Sequence, residues 1–173
     1  MNTTRTFSLP GVMSRDLSLF TDERGFFAEA FRQDWGDLVD EWIKQANLSF
    51  SYPNVVRGWH RHVRGQVDYF LVLRGAMKIC AYDESSRDLV EVVGSQEKPT
   101  LIRIPGKYWH GTKTISVEPS VTMYFVNNLY DPSQPDEDRR PWNDREIIPL
   151  SITGNKKDPR VGLPWDWFYP PYK

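Results

Sequence analysis

Two neighbouring stretches, each apolar except for one charged residue, decide the fold class of this chain: Val67-Asp68-Tyr69-Phe70-Leu71-Val72-Leu73 and Ala76-Met77-Lys78-Ile79-Cys80-Ala81-Tyr82. In short runs of this kind, apolar residues recur with the two-residue period of half-buried strands. The segment that joins the runs, Leu73-Arg74-Gly75-Ala76, has the glycine and the length of a tight turn, so we expect a β-hairpin here.

The same pattern continues on both sides, over residues 55–126. Further strands are predicted at residues 54–62, 89–93, 100–104 and 121–126. At least six short strands, with no long helical repeat between them, indicate a β-sandwich or a small barrel.

One helix candidate precedes the strands. At residues 34–45, the apolar side chains of Trp35, Leu38, Val39 and Trp42 follow helical spacing. We expect a peripheral helix there.

The composition changes after Tyr130, since eight of the 13 prolines lie in the last 43 residues. We interpret residues 131–173 as an extended tail of a single domain that spans residues 1–173, with residues 15–130 forming the core and N-terminal elements. The end of the tail is too apolar to remain in water and is expected to pack on the body or on a second subunit. Its aromatic residues are Trp165, Trp167, Phe168, Tyr169 and Tyr172.

Length and charge limit the possible functions. A chain of 173 residues has the size of one domain and can bury its own core. The net charge of -1 argues against a broad surface for nucleic acid or anionic membrane, and no apolar run is long enough for a membrane span or a secretory signal.

Cys80 is the only cysteine, which excludes a disulfide framework and fits a reducing cytoplasm. We therefore expect a cytoplasmic protein without nucleic-acid or membrane partners.

All three histidines fall within the strand region, and His60 and His110 each follow a tryptophan. In a strand over Arg57-Gly58-Trp59-His60-Arg61-His62, the two-residue period places His60 and His62 on one face. His110 follows Pro105-Gly106-Lys107-Tyr108-Trp109, a turn that leads into another strand. This grouping predicts a site rather than three unrelated histidines.

Six motifs occur in an order and spacing that resemble the dTDP-4-dehydrorhamnose 3,5-epimerase family, over roughly residues 15–160. The resemblance implies a mostly β fold, a cupin double-stranded β-helix or jelly roll with a few short peripheral helices. It also implies a homodimer that acts on a nucleotide-linked 4-keto-6-deoxy sugar without a cofactor. The motifs are Asp22-Glu23-Arg24-Gly25-Phe26-Phe27-Ala28-Glu29, Gln45-Ala46-Asn47-Leu48-Ser49, Arg57-Gly58-Trp59-His60, Ile104-Pro105 to His110-Gly111, Met123-Tyr124 with Asn128-Leu129-Tyr130-Asp131-Pro132, and Trp142-Asn143-Asp144.

The resemblance also implies catalytic roles. Epimerisation beside a ketone needs a base on one face of the sugar and an acid on the other. The family's base matches His60 and its acid matches Tyr124. The family aspartate that orients the histidine is assigned to Asp158.

Further positions match the family's contacts with the nucleotide. Arg24 and Glu29 match residues at the base and ribose, and Tyr130 matches a residue that stacks on the pyrimidine. Arginine suits phosphate because its planar fork meets two oxygens at once. The positions that match phosphate contacts are Gln45, Asn47 and Arg57.

Two positions in the predicted substrate site, which also includes His110, depart from the family. Where the family has a lysine, this chain has Asp68, whose carboxylate would repel an enolate. Where the family usually has glutamine, this chain has His62.

These departures leave three alternatives open. First, His60, His62, Asp68 and His110 occupy the positions of the three histidines and one carboxylate that bind a divalent metal in other cupins. His60 would then be a ligand instead of a free base. Second, the pair His60 and His62 also resembles that of the dTDP-sugar 3,4-ketoisomerases, which lack the Asp-Glu-Arg-Gly-Phe and Trp-Asn-Asp motifs. Third, the chain could bind a sugar nucleotide without turnover.

Overall fold

Fourteen β-strands, joined by turns and irregular segments, make up residues 4–171, which are the residues that the computed structural model describes. All six strand regions predicted from the sequence are confirmed, with boundaries that differ by a few residues. The strands are β1 (Thr4–Thr6), β2 (Met13–Asp16), β3 (Phe20–Asp22), β4 (Gly25–Phe27), β5 (Gln45–Ser51), β6 (Val56–His62), β7 (Val67–Arg74), β8 (Ala76–Tyr82), β9 (Asp88–Ser95), β10 (Thr100–Pro105), β11 (Trp109–Thr114), β12 (Ser120–Val126), β13 (Glu137–Arg139) and β14 (Ser151–Ile152).

Twelve strands form two six-stranded sheets. The first has the order β1-β2-β10-β7-β12-β5 and the second the order β13-β6-β11-β8-β9-β14. Neighbouring strands are antiparallel except for the short parallel pair β9 and β14. One hydrophobic core contains residues of both sheets, which therefore pack face to face. Its sheet residues are Phe70, Val72, Ile102 and Ile104 from the first sheet and Met77, Ile79, Ala81 and Val90 from the second. The jelly-roll prediction is confirmed.

Residues 67–72 of strand β7 are buried on both faces, which explains the continuous apolar run from Tyr69 to Val72. Phe70 and Val72 lie between the sheets. Tyr69 and Leu71 face the other way and pack under the segment that contains Leu38 and Val39. The fold thus has an N-terminal cover on its first sheet.

The predicted hairpin between the two opening runs is wrong. Strands β7 and β8 are consecutive, but each belongs to a different sheet, so Gly75 marks a corner where the chain crosses from one to the other. Gly75 has a φ of 69°, and a Cβ there would lie 2.7 Å from Ser116 Oγ and 3.1 Å from the Pro119 carbonyl oxygen. A tight turn was correctly predicted. The residues of the turn do not show, however, which strands pair with β7 and β8.

The helix predicted over residues 34–45 is also wrong, and residues 4–171 contain no helix of any kind. The amides of Leu38 and Val39 donate to the Trp35 carbonyl at 2.8 and 2.7 Å, but this single turn does not continue. Trp42, on the predicted apolar side, is 73% exposed. The expected short peripheral helices are therefore replaced by turns.

An ion pair across the fold explains why the helix does not form. Arg103 of β10 is buried, and its guanidinium binds the carboxylates of Asp40, at 2.8 Å, and Glu41. Arg103 also donates to the Tyr69 hydroxyl at 3.1 Å. A buried arginine must be paired, and this requirement outweighs the weak helix propensity of the segment.

The C-terminal segment covers the outer face of the second sheet. Trp165 and Trp167 are buried in a cluster with Trp59 and Trp109, and the rings of Trp59 and Trp167 lie 4.7 Å apart. Tyr172, which was grouped with these aromatic residues, lies outside the described residues. Over residues 4–171, no helix has the length and apolar character needed to cross a membrane.

Candidate active site

A cavity of about 800 Å³ opens between the two sheets. Strands β5, β6, β7 and β12 line it, and β13 lies along its edge. His110 is fully buried beneath it, with its ring 4.1 Å from the ring of His60. The predicted site residues that line the cavity are His60, His62, Asp68, Tyr124, Gln45, Asn47, Arg57 and Tyr130.

Two glycines bring His60 and His110 together. These histidines are direct partners between β6 and β11, one residue from an irregularity in the register. A Cβ on Gly111 would lie 2.8 Å from the Gly58 Cα and 2.7 Å from the Arg57 carbonyl oxygen, which is closer than real side chains come. Glycine at both positions therefore lets the strands approach until the imidazoles touch.

A third glycine positions His62. The Gly106 carbonyl accepts a 2.7 Å hydrogen bond from the His62 amide, and the Gly106 amide donates to the Gln66 carbonyl at 2.8 Å. A Cβ on Gly106 would lie 2.7 Å from the His62 Cβ. The turn at Gly106 thus holds the end of β6 against the start of β7.

Asp68 is the centre of a buried polar cluster. Its Oδ2 lies 2.9 Å from His110 Nε2 and 3.4 Å from His62 Nε2. Its Oδ1 accepts a 2.8 Å hydrogen bond from Gln66 Nε2. His110 Nδ1 donates to the Tyr108 carbonyl at 2.8 Å, which fixes the orientation of that ring. The carboxylate thus contacts two of the three histidines.

The charges in this cluster are interdependent. Burial favours the neutral form of Asp68, but hydrogen bonds from His110 and His62 outweigh it and hold the pKa of Asp68 well below its usual range. Burial likewise acts to lower the pKa of His62, but the bond to Asp68 and its charge raise that pKa above its usual value. Asp68 is therefore a carboxylate, and His62 beside it is more readily protonated than a free imidazole.

His60 differs from the other two histidines. Within residues 4–171, its imidazole forms no hydrogen bond or ion pair with another group. Burial, followed by repulsion from His110, lowers the pKa of His60 well below its usual value. His60 therefore presents a neutral imidazole with a free lone pair to the cavity, which is the state that a general base needs.

Tyr124 lines the same cavity from the opposite sheet. Its ring stacks on Phe70 with centroids 5.7 Å apart and a 30° angle between planes. Burial and the negative charge of Asp68 raise the pKa of Tyr124. The phenol therefore keeps its proton at neutral pH and can act as an acid.

Polar side chains line the cavity farther from the histidines. Arg57 is oriented by hydrogen bonds to Ser51 Oγ, at 2.8 Å, and to the Phe50 carbonyl, at 2.9 Å. Gln45 donates to Asn47 Oδ1 at 2.7 Å. These groups offer donors and one fixed positive charge.

Tyr130 is linked to this polar group through its backbone, since its amide donates to Gln45 Oε1 at 3.0 Å. Its ring is mostly exposed at the cavity rim. It is thus free to stack on a planar ligand group.

The structure does not bring Arg24 and Glu29 into this cavity. Arg24 lies at the exposed tip of the β3–β4 hairpin and pairs with Asp22 at 2.5 Å. Glu29 pairs with Arg32 at 2.6 Å. Within one chain, Arg24 and Glu29 therefore lie outside the cavity in which they were predicted to contact the ligand.

The structure also corrects the assignment of Asp158. Its carboxylate accepts hydrogen bonds from the Arg160 amide at 2.9 Å and from the Arg160 guanidinium at 2.9 and 2.8 Å. Arg160 in turn binds Glu91 and lies over the Trp165 ring, on the outer face of the second sheet. Asp158 does not line the cavity, and the aspartate that contacts the imidazoles is Asp68.

Several cavity residues were missed by the sequence analysis. Gln66 and Asp136 contact Asp68 and His62, and Arg139 lies opposite His60 on the neighbouring strand β13. The charged run 136–140 was interpreted as part of the tail. Its pairing with β6 depends on a contact between residues more than 70 positions apart, for which the sequence holds no local signal.

The same cluster has the composition of a metal site. One donor atom from each of His60, His62, Asp68 and His110 lies within 4.8 Å of all the others. Three imidazoles and a carboxylate are ligands that suit zinc, iron, manganese or nickel.

Comparison with known proteins identifies the family of this chain. A profile of the dTDP-4-dehydrorhamnose 3,5-epimerase family matches residues 6–165. The probable low-salt glycan biosynthesis epimerase Agl13 of Haloferax volcanii is 40% identical over 135 residues, which cover 75% of this chain and 85% of that protein. The dTDP-4-dehydrorhamnose 3,5-epimerase of Salmonella typhimurium is 31% identical over 156 residues, which cover 81% of this chain and 80% of that enzyme.

The fold is shared with a solved structure as well. NovW, a 4-keto-6-deoxy sugar epimerase from Streptomyces spheroides, superposes with a TM-score of 0.75 at 23% identity, covering 98% of this chain and 82% of that one. The match of a family profile to nearly the whole chain, the curated relatives and the shared fold all agree. This chain is a member of the dTDP-4-dehydrorhamnose 3,5-epimerase family.

Proposed function

We propose that this protein epimerises a nucleotide-linked 4-keto-6-deoxy sugar, with dTDP as the favoured nucleotide, at C3, C5 or both. The observation that carries the proposal is the position of His60, a neutral imidazole without a hydrogen-bond partner in residues 4–171, in a cavity that also contains the phenol of Tyr124. The names of its relatives, among them a dTDP-4-dehydrorhamnose 3,5-epimerase, support the substrate class.

The chemistry follows from these two groups. The ketone at C4 makes the hydrogens on C3 and C5 acidic, because the electrons left behind delocalise onto the ketone oxygen. His60 accepts the proton from carbon, and Tyr124 donates a proton to the opposite face of the same carbon, which inverts it. Since His60 is on the second sheet and Tyr124 on the first, the sugar can lie between them.

The nucleotide end is proposed to lie along the polar side of the cavity. Arg57 is held by two hydrogen bonds and presents a guanidinium that suits a phosphate group. Gln45 and Asn47 supply further donors, and the exposed ring of Tyr130 is available to stack on the base. We propose a cytoplasmic location for this activity, which fits the single free cysteine, Cys80.

A homodimer is proposed to complete the site. The β3–β4 hairpin exposes three aromatic side chains, Phe20, Phe26 and Phe27, each at least 60% exposed in the single chain. Exposed apolar surface of this kind is typical of a protein interface. In a dimer the hairpin would carry Arg24 to the cavity of the partner chain, which would reconcile its predicted role with its position here.

The direct test is incubation with dTDP-4-keto-6-deoxyglucose in deuterated water, followed by mass spectrometry and NMR of the sugar. We expect deuterium at C3 or C5 and an inverted product that keeps its ketone at C4. A sugar without deuterium would contradict epimerase activity on this substrate. A product whose ketone has moved to C3 would instead identify a ketoisomerase.

A further inference from the structure

We propose that His62, Asp68 and His110 form a binding site for one divalent transition-metal ion, such as zinc, at the floor of the cavity. The proposal rests on the geometry of these three side chains. Only the role of the ion in the reaction depends on the proposed function.

The distances between the donor atoms match those of a coordination shell. Metal–ligand distances near 2.1 Å place two neighbouring donors about 3.0 Å apart in an octahedral site and about 3.4 Å apart in a tetrahedral one. Asp68 Oδ2 lies 2.9 Å from His110 Nε2 and 3.4 Å from His62 Nε2. Both distances from the carboxylate therefore match donors that share one ion, and the donor atoms of the two imidazoles lie within 4.8 Å of each other.

Groups behind the three side chains hold them as metal ligands are usually held. Histidine ligands commonly donate their second ring N–H to a carbonyl or a carboxylate. His110 Nδ1 donates to the Tyr108 carbonyl at 2.8 Å, which leaves Nε2 to face Asp68. His62 Nδ1 faces Asp136 Oδ2 at 3.7 Å, and both of these buried atoms lack a hydrogen-bond partner. A small shift of either side chain on metal binding would pair them.

Gln66 fixes the carboxylate. Its amide nitrogen donates to Asp68 Oδ1 at 2.8 Å, which directs Oδ2 towards the imidazoles. The same nitrogen lies 3.0 Å from His62 Nε2 and would release that atom to the ion while keeping its bond to Asp68.

The charge of Asp68 also favours a cation. The side chain is 1% exposed, and within residues 4–171 the groups that could offer it a positive charge are His62 and His110. A buried carboxylate without compensation is costly, so either a proton or a metal ion must supply the charge. Two imidazoles and one carboxylate select a transition metal over calcium or magnesium.

The ion would supply a positive charge that no side chain provides at the position of Asp68. This chain has Asp68 at the position where the family resemblance implies a lysine, and a metal here would place a positive charge beside the sugar ketone. His60 completes the four-residue cluster, but we leave it outside the ligand set, because its lone pair is needed for proton abstraction.

The test is metal content, measured without substrate. Protein purified without a histidine tag or chelator is analysed by elemental mass spectrometry, and chelator-treated protein is titrated with zinc alone by calorimetry. We expect about one equivalent per chain, and affinity lowered at least tenfold in both Asp68→Asn and His62→Gln. Thermal melts of the metal-free variants show that each is folded. Asp158→Asn, a buried carboxylate away from the cavity, is the matched control and is expected to bind zinc like the unaltered protein.

Two results would overturn the site. These are an unaltered protein that takes up no zinc at micromolar concentration, or an affinity unchanged in folded Asp68→Asn and His62→Gln. Loss of the ion in folded His60→Asn would overturn the proposed three-residue ligand set, because His60 would then be a ligand. Deuterium exchange by a protein that never binds metal would sustain the proposed function while rejecting this site.

Discussion

The imidazole rings of His60 and His110 lie with their centroids 4.1 Å apart, at directly paired positions of β6 and β11. His110 is tied to Asp68 on the opposite sheet, so the contact connects the cavity wall to the buried polar cluster. This closeness depends on Gly58 and Gly111, which allow the two backbones to approach. The geometry of the site thus depends on these two glycines as well as on its reactive side chains.

Gly111→Ala is expected to destabilise the protein by about 1–3 kcal/mol, because its methyl group would overlap backbone atoms of Arg57 and Gly58. Urea denaturation measures this loss, and activity should fall with it as His60 is displaced. Gly36→Ala is the matched control, since no atom lies within 4 Å of the added Cβ, and its stability should stay within about 0.5 kcal/mol. Equal stability of both variants would show that the close approach of the strands is not required.

Tyr124→Phe should separate proton abstraction from inversion. His60 can still remove the proton and return one from solvent on the same face, so deuterium enters the recovered substrate. Inversion needs a donor on the other face and should slow by about 10²- to 10⁴-fold. NMR of the sugar in deuterated water distinguishes the two outcomes. If the variant inverts the sugar at the original rate, Tyr124 is not the acid.

Asp158→Asn should lower stability and spare catalysis, because Asp158 pairs with Arg160 outside the cavity. Removing the charge of Asp158 is expected to cost about 1–3 kcal/mol at pH 7, since Arg160 keeps its ion pair with Glu91. Arg160 holds the pKa of Asp158 below its usual value, so the stabilising effect is present above pH of about 4 and is lost as the carboxyl is protonated.

Denaturation of the unaltered protein and of Asp158→Asn at pH 7 and pH 3 checks this expectation. The difference between them should shrink at pH 3. A variant of full stability that has lost its deuterium exchange would restore the role of orienting His60 that was first assigned to Asp158.

Phe26→Asp should weaken the proposed dimer, because the β3–β4 hairpin places this 63% exposed ring outside any core of the single chain. Sedimentation is expected to show a dimer for the unaltered protein and a monomer for the variant. Val117→Asp, an apolar residue that is 94% exposed elsewhere, should remain dimeric. An unaltered protein that sediments as a monomer would contradict the dimer, and a dimeric Phe26→Asp would place the interface elsewhere.

The strands could be predicted because their signal is local. Side chains that alternate between a core and another surface produce a two-residue period, and doubly buried β7 produces an apolar run. The partners of each strand are not local. Gly75 was correctly expected in a turn, yet that turn joins two sheets. The helix at 34–45 failed because Arg103, about 60 residues away, binds Asp40 and Glu41.

The site was predictable to the extent that its residues lie in recognisable motifs. His60, His62, Asp68 and His110 were grouped from the sequence, and the structure brings them together. Asp158 lies in the tail, where no motif aligns the sequence with the family. Its predicted place in the site was wrong, because it pairs with Arg160 outside the cavity. Gln66 and Asp136 were missed, because their contacts with the cluster arise only when β7 and residues 136–139 meet the end of β6.

The measurement that tests the central claim most directly is position-specific deuterium exchange by the unaltered protein and by His60→Asn. Both are incubated with dTDP-4-keto-6-deoxyglucose in deuterated water, after circular dichroism has shown that the variant is folded. The unaltered protein is predicted to introduce deuterium at C3 or C5, and His60→Asn is predicted to introduce none above the uncatalysed rate. Exchange that persists in folded His60→Asn would contradict the account, because another group would then be the base.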